Sequence, residues 1–116
     1  MTTGHLDADV LATLRDIMGE DQFPVLVETY LSDSERRLAG LLAATEARAL
    51  RDAAHSFKGS SSNMGAMRLA ELCGRLEHLP LEAPAQAVAE LRSGIEQEFT
   101  AVRARFLAIL DRSPPA

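Results

Sequence analysis

Between Arg51 and Gly65 the chain carries His55, then Lys58 three residues on, Gly59 four residues on, and three consecutive serines, Ser60, Ser61 and Ser62. Imidazole is a nucleophile near neutral pH. An ammonium at i+3 shares the helix face of the ring and can neutralise an oxygen of a phosphoryl group held there. A glycine at i+4 removes the side chain that would crowd the ring, leaving room for a second protein. Phosphoryl transfer needs in-line approach and charge stabilisation more than further covalent machinery, so an exposed histidine in this setting suits it, with most of the apparatus supplied by a partner. A lone histidine on a helix is ordinarily just solvated. The company of Lys58, Gly59 and the serines sets this one apart, because glycine and serine are poor helix formers that an ordinary bundle helix would not gather.

On a helical wheel at ~100° per residue with His55 at zero, Arg51, Asp52, Lys58, Gly59 and Ser62 fall within ~60° of it. Leu50, Ala53, Phe57, Ser60, Ser61 and Met64 lie on the other side. The helix therefore has an apolar or small inward face and a polar outward face centred on His55. Ser60 and Ser61 permit close helix approach, and their hydroxyls can bond back to carbonyls of the preceding turn. Arg51, Lys58, Ser62 and Arg68 are the candidates for a partner-docking face around His55. If this helix and the next are antiparallel about a turn near Met64 and Gly65, the stretch from Gly74 to His78 lies level with His55. Glu77 is the strongest candidate there to orient the ring, its carboxylate accepting from Nδ1–H and leaving Nε2 free to attack, the base-orienter logic of catalytic triads.

Five helical segments must position these groups. The first runs from about Asp7, a plausible N-cap, to Met18, and Gly19 ends it. The second runs from about Asp21 to Ala44, with Pro24 in its first turn, an apolar repeat from Phe23 to Leu42, and Arg36 and Arg37 on the other side. The third covers about Ala47 to Ser62, with Gly65 closing it. The fourth covers about Ala66 to Leu79, and the fifth about Pro84 to Leu110. The tail from Arg112 to Ala116 is expected to fray. Short links between long amphipathic helices favour antiparallel neighbours. The expected fold is all-α, an antiparallel up-down four-helix bundle with an additional short N-terminal helix capping one end. It is read as one domain over residues 1–116, with an ordered core of about 6–111.

The 116 residues are 47% hydrophobic, enough for one core, and only 4% aromatic, so that core is built from Leu, Ala, Val and Ile. A net charge of −5 argues against a nucleic-acid binder, which needs a basic face. A single cysteine, Cys73, rules out an internal disulfide and suggests a reducing compartment. It falls on an apolar stripe and reads as a core residue. No signal-peptide pattern and no apolar run near ~18 residues is present, so a cytoplasmic location and no membrane contact are expected. Cys73, Glu77 and His78 lack the paired spacing of a metal site, and none is expected. His5 and His78 are expected simply to face solvent.

The run from His55 to Ala66, H-S-F-K-G-S-S-S-N-M-G-A, closely resembles the signature of bacterial HPt domains, and Leu69 to Glu77, L-A-E-L-C-G-R-L-E, resembles the helix that follows it. The signature is fairly specific, joining a His-x-x-Lys-Gly core to a later glycine and a Leu-Glu end, and the likeness extends over nearly the whole chain. The resemblance implies a four-helix bundle with an exposed histidine near its middle. It further implies that His55 takes a phosphoryl group on Nε2 from a receiver-domain aspartyl phosphate of a hybrid sensor kinase and relays it to a response-regulator receiver. Lys58 is then the electrostatic partner, Gly59 the access residue and Glu77 the ring acceptor, a position where many members carry Gln. It implies no ATP binding, no self-phosphorylation and no cofactor, the Mg²⁺ used in transfer belonging to the receiver. A non-catalytic helical adaptor would explain a bundle but not the cluster around His55. A dimerising kinase fragment would supply two helices and need an ATP-binding domain. A monomer is therefore expected.

Overall fold

The structure, a computed structural model, describes residues 4–111. The expected fraying at 112–116 lies outside them. Four helices follow one another, α1 (Ala8–Ala43), α2 (Ala47–Asn63), α3 (Met67–His78) and α4 (Ala85–Asp111), and no strand occurs among the described residues. The two helices expected on either side of Gly19 form one element, α1, broken at Gly19 alone, where φ 82° and ψ 164° suit glycine far better than any residue with a side chain. Asp7 caps it as expected, its carboxylate accepting from the N–H groups of Asp9 and Val10. Pro24 sits close behind the break, near the new helix start, where a missing N–H costs least.

Each helix packs against its sequence neighbours, and α4 closes on α1, so the four form a bundle around one core. The molecule measures 50 Å along its longest axis. Val27, Leu41, Phe57, Leu69, Leu76, Ile95, Val102 and Phe106 are fully buried. The few aromatics meet edge to face, Phe57 on Phe99 at 6.0 Å and Tyr30 on Phe106 at 5.7 Å between ring centroids. Cys73 lies in this core, and burial pushes its thiol up to about 12.

The serines of α2 divide their work. Ser60 donates back to the Phe57 carbonyl, as expected. Ser61 instead points inward, fully buried, and shares a 2.8 Å hydrogen bond with the phenol of Tyr30 on α1. Burial raises the Tyr30 pKa, against the lowering effect of that hydrogen bond. The helix ends in a Schellman turn. Ala66 N–H donates to the Ser61 carbonyl, Gly65 N–H donates to that of Ser62, and Gly65 takes φ +79°. The Gly65 carbonyl then accepts from Asp7 N–H at 2.8 Å, tying the start of α1 to the α2–α3 turn.

Three contacts depart from the sequence-based expectation. His5 does not simply face solvent. It is half-buried, and its Nδ1 lies 2.6 Å from Oε2 of the buried Glu98 on α4. Arg51 does not belong to an exposed docking face. It is buried, and its guanidinium donates to the carbonyls of Leu79 (3.2 Å), Pro80 (2.5 Å) and Ala47 (3.4 Å). It thereby caps the C-terminal end of α3, where a cation also meets the negative end of the helix dipole. Arg37, assigned to the outer side of α1, reaches across and donates to Ser56 Oγ on α2. His78 is exposed, with Nδ1–H donating to the Gly74 carbonyl.

Candidate functional site

The period of α2 turns Leu50, Ala54, Phe57 and Ser61 inward and leaves His55, Ser56 and Gly59 outside. The His55 side chain is 68% exposed, so its ring can be reached from solvent. A tight turn at Met64 to Ala66 folds α3 back along α2. That brings Glu77 beside His55, with Oε2 2.5 Å from the ring Nδ1. The other carboxylate oxygen, Oε1, accepts from Lys58 Nζ, also at 2.5 Å.

These two bonds set the protonation pattern. The hydrogen bond from the Lys58 ammonium holds the Glu77 carboxyl below its ordinary range; desolvation opposes it, and the His55 hydrogen bond adds a lesser lowering effect. An ionised carboxylate only accepts, so the proton of the shared bond sits on His55 Nδ1. In the neutral ring Nε2 then carries the free lone pair. The side chain of Lys58 reaches Glu77 across Gly74 on α3. A Cβ at position 74 would stand 3.4 Å from Lys58 Cδ, so the small residue leaves the lysine stem room to lie against the helix.

Gly59 lies one turn beyond His55, is exposed, and a Cβ built on it meets nothing within 4 Å. Beside it an open groove of about 590 Å³ runs between α2 and α3, lined by Lys58, Gly59, Ser62, Asn63 and Met67 among others. Ser62 therefore lies on the His55 flank. Arg68 is exposed at the start of α3, but it lines a separate depression with Glu71, Leu72 and Arg75. Of the seven residues named from sequence, His55, Lys58 and Glu77 form one hydrogen-bonded set, Gly59 and Ser62 border it, and Arg51 and Arg68 are not brought to it. Sequence reasoning missed the Arg37 contact to Ser56, the residue beside His55, and Gly74 as the seat of the lysine stem. The adjacency of Ser56 to His55 was the one available signal.

A small helical bundle presenting one exposed, carboxylate-held histidine on a helix face, with a lysine and a glycine on the next turn, is the arrangement of a phosphotransfer domain. The sequence matches the Hpt domain family over residues 25–105, and the chain belongs to that family. Among solved structures it is similar to histidine-containing phosphotransfer protein B (HptB) from Pseudomonas aeruginosa PAO1. The two share 45% sequence identity with a TM-score of 0.89, over 97% of this chain and 100% of that one. A search of curated proteins found no match. No helix among the described residues is long and apolar enough to cross a membrane.

Proposed function

We propose that this chain is a phosphoryl carrier of a two-component phosphorelay. It accepts a phosphoryl group on Nε2 of His55 from the receiver-domain aspartate of a hybrid sensor kinase. It then passes the group to the receiver aspartate of a response regulator. The observation that carries this reading is the exposed His55 ring with its Nδ1 bonded to Glu77 and Nε2 left free.

The chemistry balances without a proton leaving the protein. The Nε2 lone pair attacks phosphorus in line, the P–O bond to the receiver aspartate breaks, and its electron pair departs with the carboxylate. The ring becomes a phosphorylated imidazolium that keeps its proton on Nδ1, and the Glu77 carboxylate faces the new positive charge. Return is the reverse. A second aspartate attacks, the P–N bond breaks, and the pair goes back to Nε2. Lys58 holds Glu77 in place and its ammonium is within a turn of the ring, where it offsets charge on the phosphoryl oxygens. Gly59 leaves the approach path open. The Mg²⁺ used in transfer belongs to the receiver. The chain itself supplies neither ATP binding nor kinase activity, works as a cytoplasmic monomer, and does not act on nucleic acid. Arg68 stays a candidate for the outer rim of the docking surface, and Ser62 for the groove beside His55.

The test is transfer from a phosphorylated receiver domain to wild type and to His55→Gln. Acid-labile, base-stable label on the wild type alone, chased off by a second receiver, is the expected result. Label on neither, across a panel of receivers, would leave the adaptor reading, in which His55→Gln keeps full partner binding.

A further inference from the structure

We propose that Arg37 is a receiver-docking residue, which with Ser56 forms a cationic flank of the phosphotransfer face on the α1 side of His55. The proposal rests on the phosphorelay reading and deepens it. A receiver presents an acidic pocket, because its acceptor is a carboxylate and its metal is held by further acids. This chain carries a net charge of −5. An acidic pocket and a chain of net negative charge attract each other where that chain presents a local positive field.

The charges around His55 are unequal on its two sides. On the α3 side, Lys58 is bonded to Glu77 and Arg75 to Glu71, so these two cations are already matched by carboxylates, while Arg68 lies at the start of α3 in a separate depression. On the α1 side, Arg37 donates to Ser56 Oγ, the residue next to His55, and makes no ion pair with any carboxylate among the described residues. The nearby Asp33 is bonded to Arg36 instead. The Arg37 side chain lines an open groove of about 210 Å³ between α1 and α2, with Asp33, Ser60 and Asn63 among its neighbours. An arginine positioned by a neutral hydroxyl keeps its full charge and its planar fork for a carboxylate of a partner. The partner group it fits is therefore an acidic side chain bordering the receiver's aspartate pocket.

The experiment compares wild type, Arg37→Gln, Arg37→Lys and Arg36→Gln in two reactions. One is transfer from a phosphorylated receiver domain, measured across ionic strength. The other is direct phosphorylation of His55 by phosphoramidate, a donor too small to dock. For Arg37→Gln the expected result is a fall of about tenfold in kcat/KM with the receiver at low salt, carried by KM. The salt dependence should be shallower than wild type, and phosphoramidate labelling unchanged. Arg37→Lys should recover most of the loss, and Arg36→Gln should behave as wild type. Unchanged receiver kinetics and salt slope in Arg37→Gln would overturn the proposal. So would an equal loss with phosphoramidate, which would mark Arg37 as a structural bridge between α1 and α2. A wild type that takes label from phosphoramidate but from no receiver would overturn the phosphorelay reading, and this proposal with it.

Discussion

Gly59 lies inside α2, four residues from its last helical residue, at a position where a side chain would cost nothing sterically. A glycine in a helix interior is about 0.8–1 kcal/mol less favourable than alanine, because its backbone loses more freedom on folding. The open space around it leaves no packing gain to offset this. Gly59→Ala is therefore expected to stabilise the protein by nearly the full propensity difference, raising the melting temperature by about 4 °C for a chain of this size. Gly59→Leu should be stabilised by a comparable amount, since leucine is also a strong helix former. Function should move the other way. A leucine at this position projects over the approach to His55, and displacing the incoming phosphorus by even ~1 Å costs on the order of a hundredfold in rate. The assay pairs thermal unfolding with transfer from a phosphorylated receiver, using phosphoramidate as the donor that needs no docking. Gly59→Leu should lose receiver transfer, keep phosphoramidate labelling and melt higher than wild type. A lower melting temperature for Gly59→Ala would refute the claim of open space. Normal receiver transfer by Gly59→Leu would refute the access role.

Three further outcomes follow from the same geometry. Because the folded-state pKa of Glu77 is depressed, its contribution to stability is present above the ordinary value of 4.5 and is lost as pH falls through the lower folded value. The difference in urea midpoint between wild type and Glu77→Gln should hold from pH 7 to about pH 5 and shrink in more acidic solution. A pH-independent difference would show that the Lys58 contact does not stabilise the charged form. Gly65→Ala must place a side chain at φ +79°, with its Cβ 3.2 Å from Val10 Cβ and 3.3 Å from the Asp7 carbonyl oxygen. The left-handed conformation alone costs about 1–2 kcal/mol, so a loss of about 2 kcal/mol is expected in urea unfolding, together with faster amide exchange at Asp7. Arg51→Ala leaves the Leu79 and Pro80 carbonyls without their donor and should cost about 1–3 kcal/mol. Its phosphoramidate labelling of His55 should equal wild type, and a selective loss of that labelling would return Arg51 to the reactive site.

What the sequence determined by itself was everything governed by the period of a single helix or the chemistry of a single turn. Asp7 and Gly65 mark element ends, and Gly19 the break inside α1, because a capping carboxylate and positive-φ glycines act locally. His55, Lys58 and Gly59 share a face because residues three and four apart must do so in any α-helix. Glu77 was legible one step further out, because a tight turn at Gly65 makes counting along two antiparallel helices meaningful. Tertiary structure alone decided the contacts that depend on how separate helices cross and where one ends against another. Arg51 lies within ~40° of His55 on a wheel, yet it turns in to cap α3, since the wheel does not show that the end of α3 stops beside it. Ser61 bonds Tyr30 rather than its own helix because α1 brings a phenol within 2.8 Å. His5 and Glu98, 93 positions apart, and Arg37 and Ser56, 19 apart, meet only through helix register and crossing. Those depend on the packing of the whole core, which no local pattern of residues records.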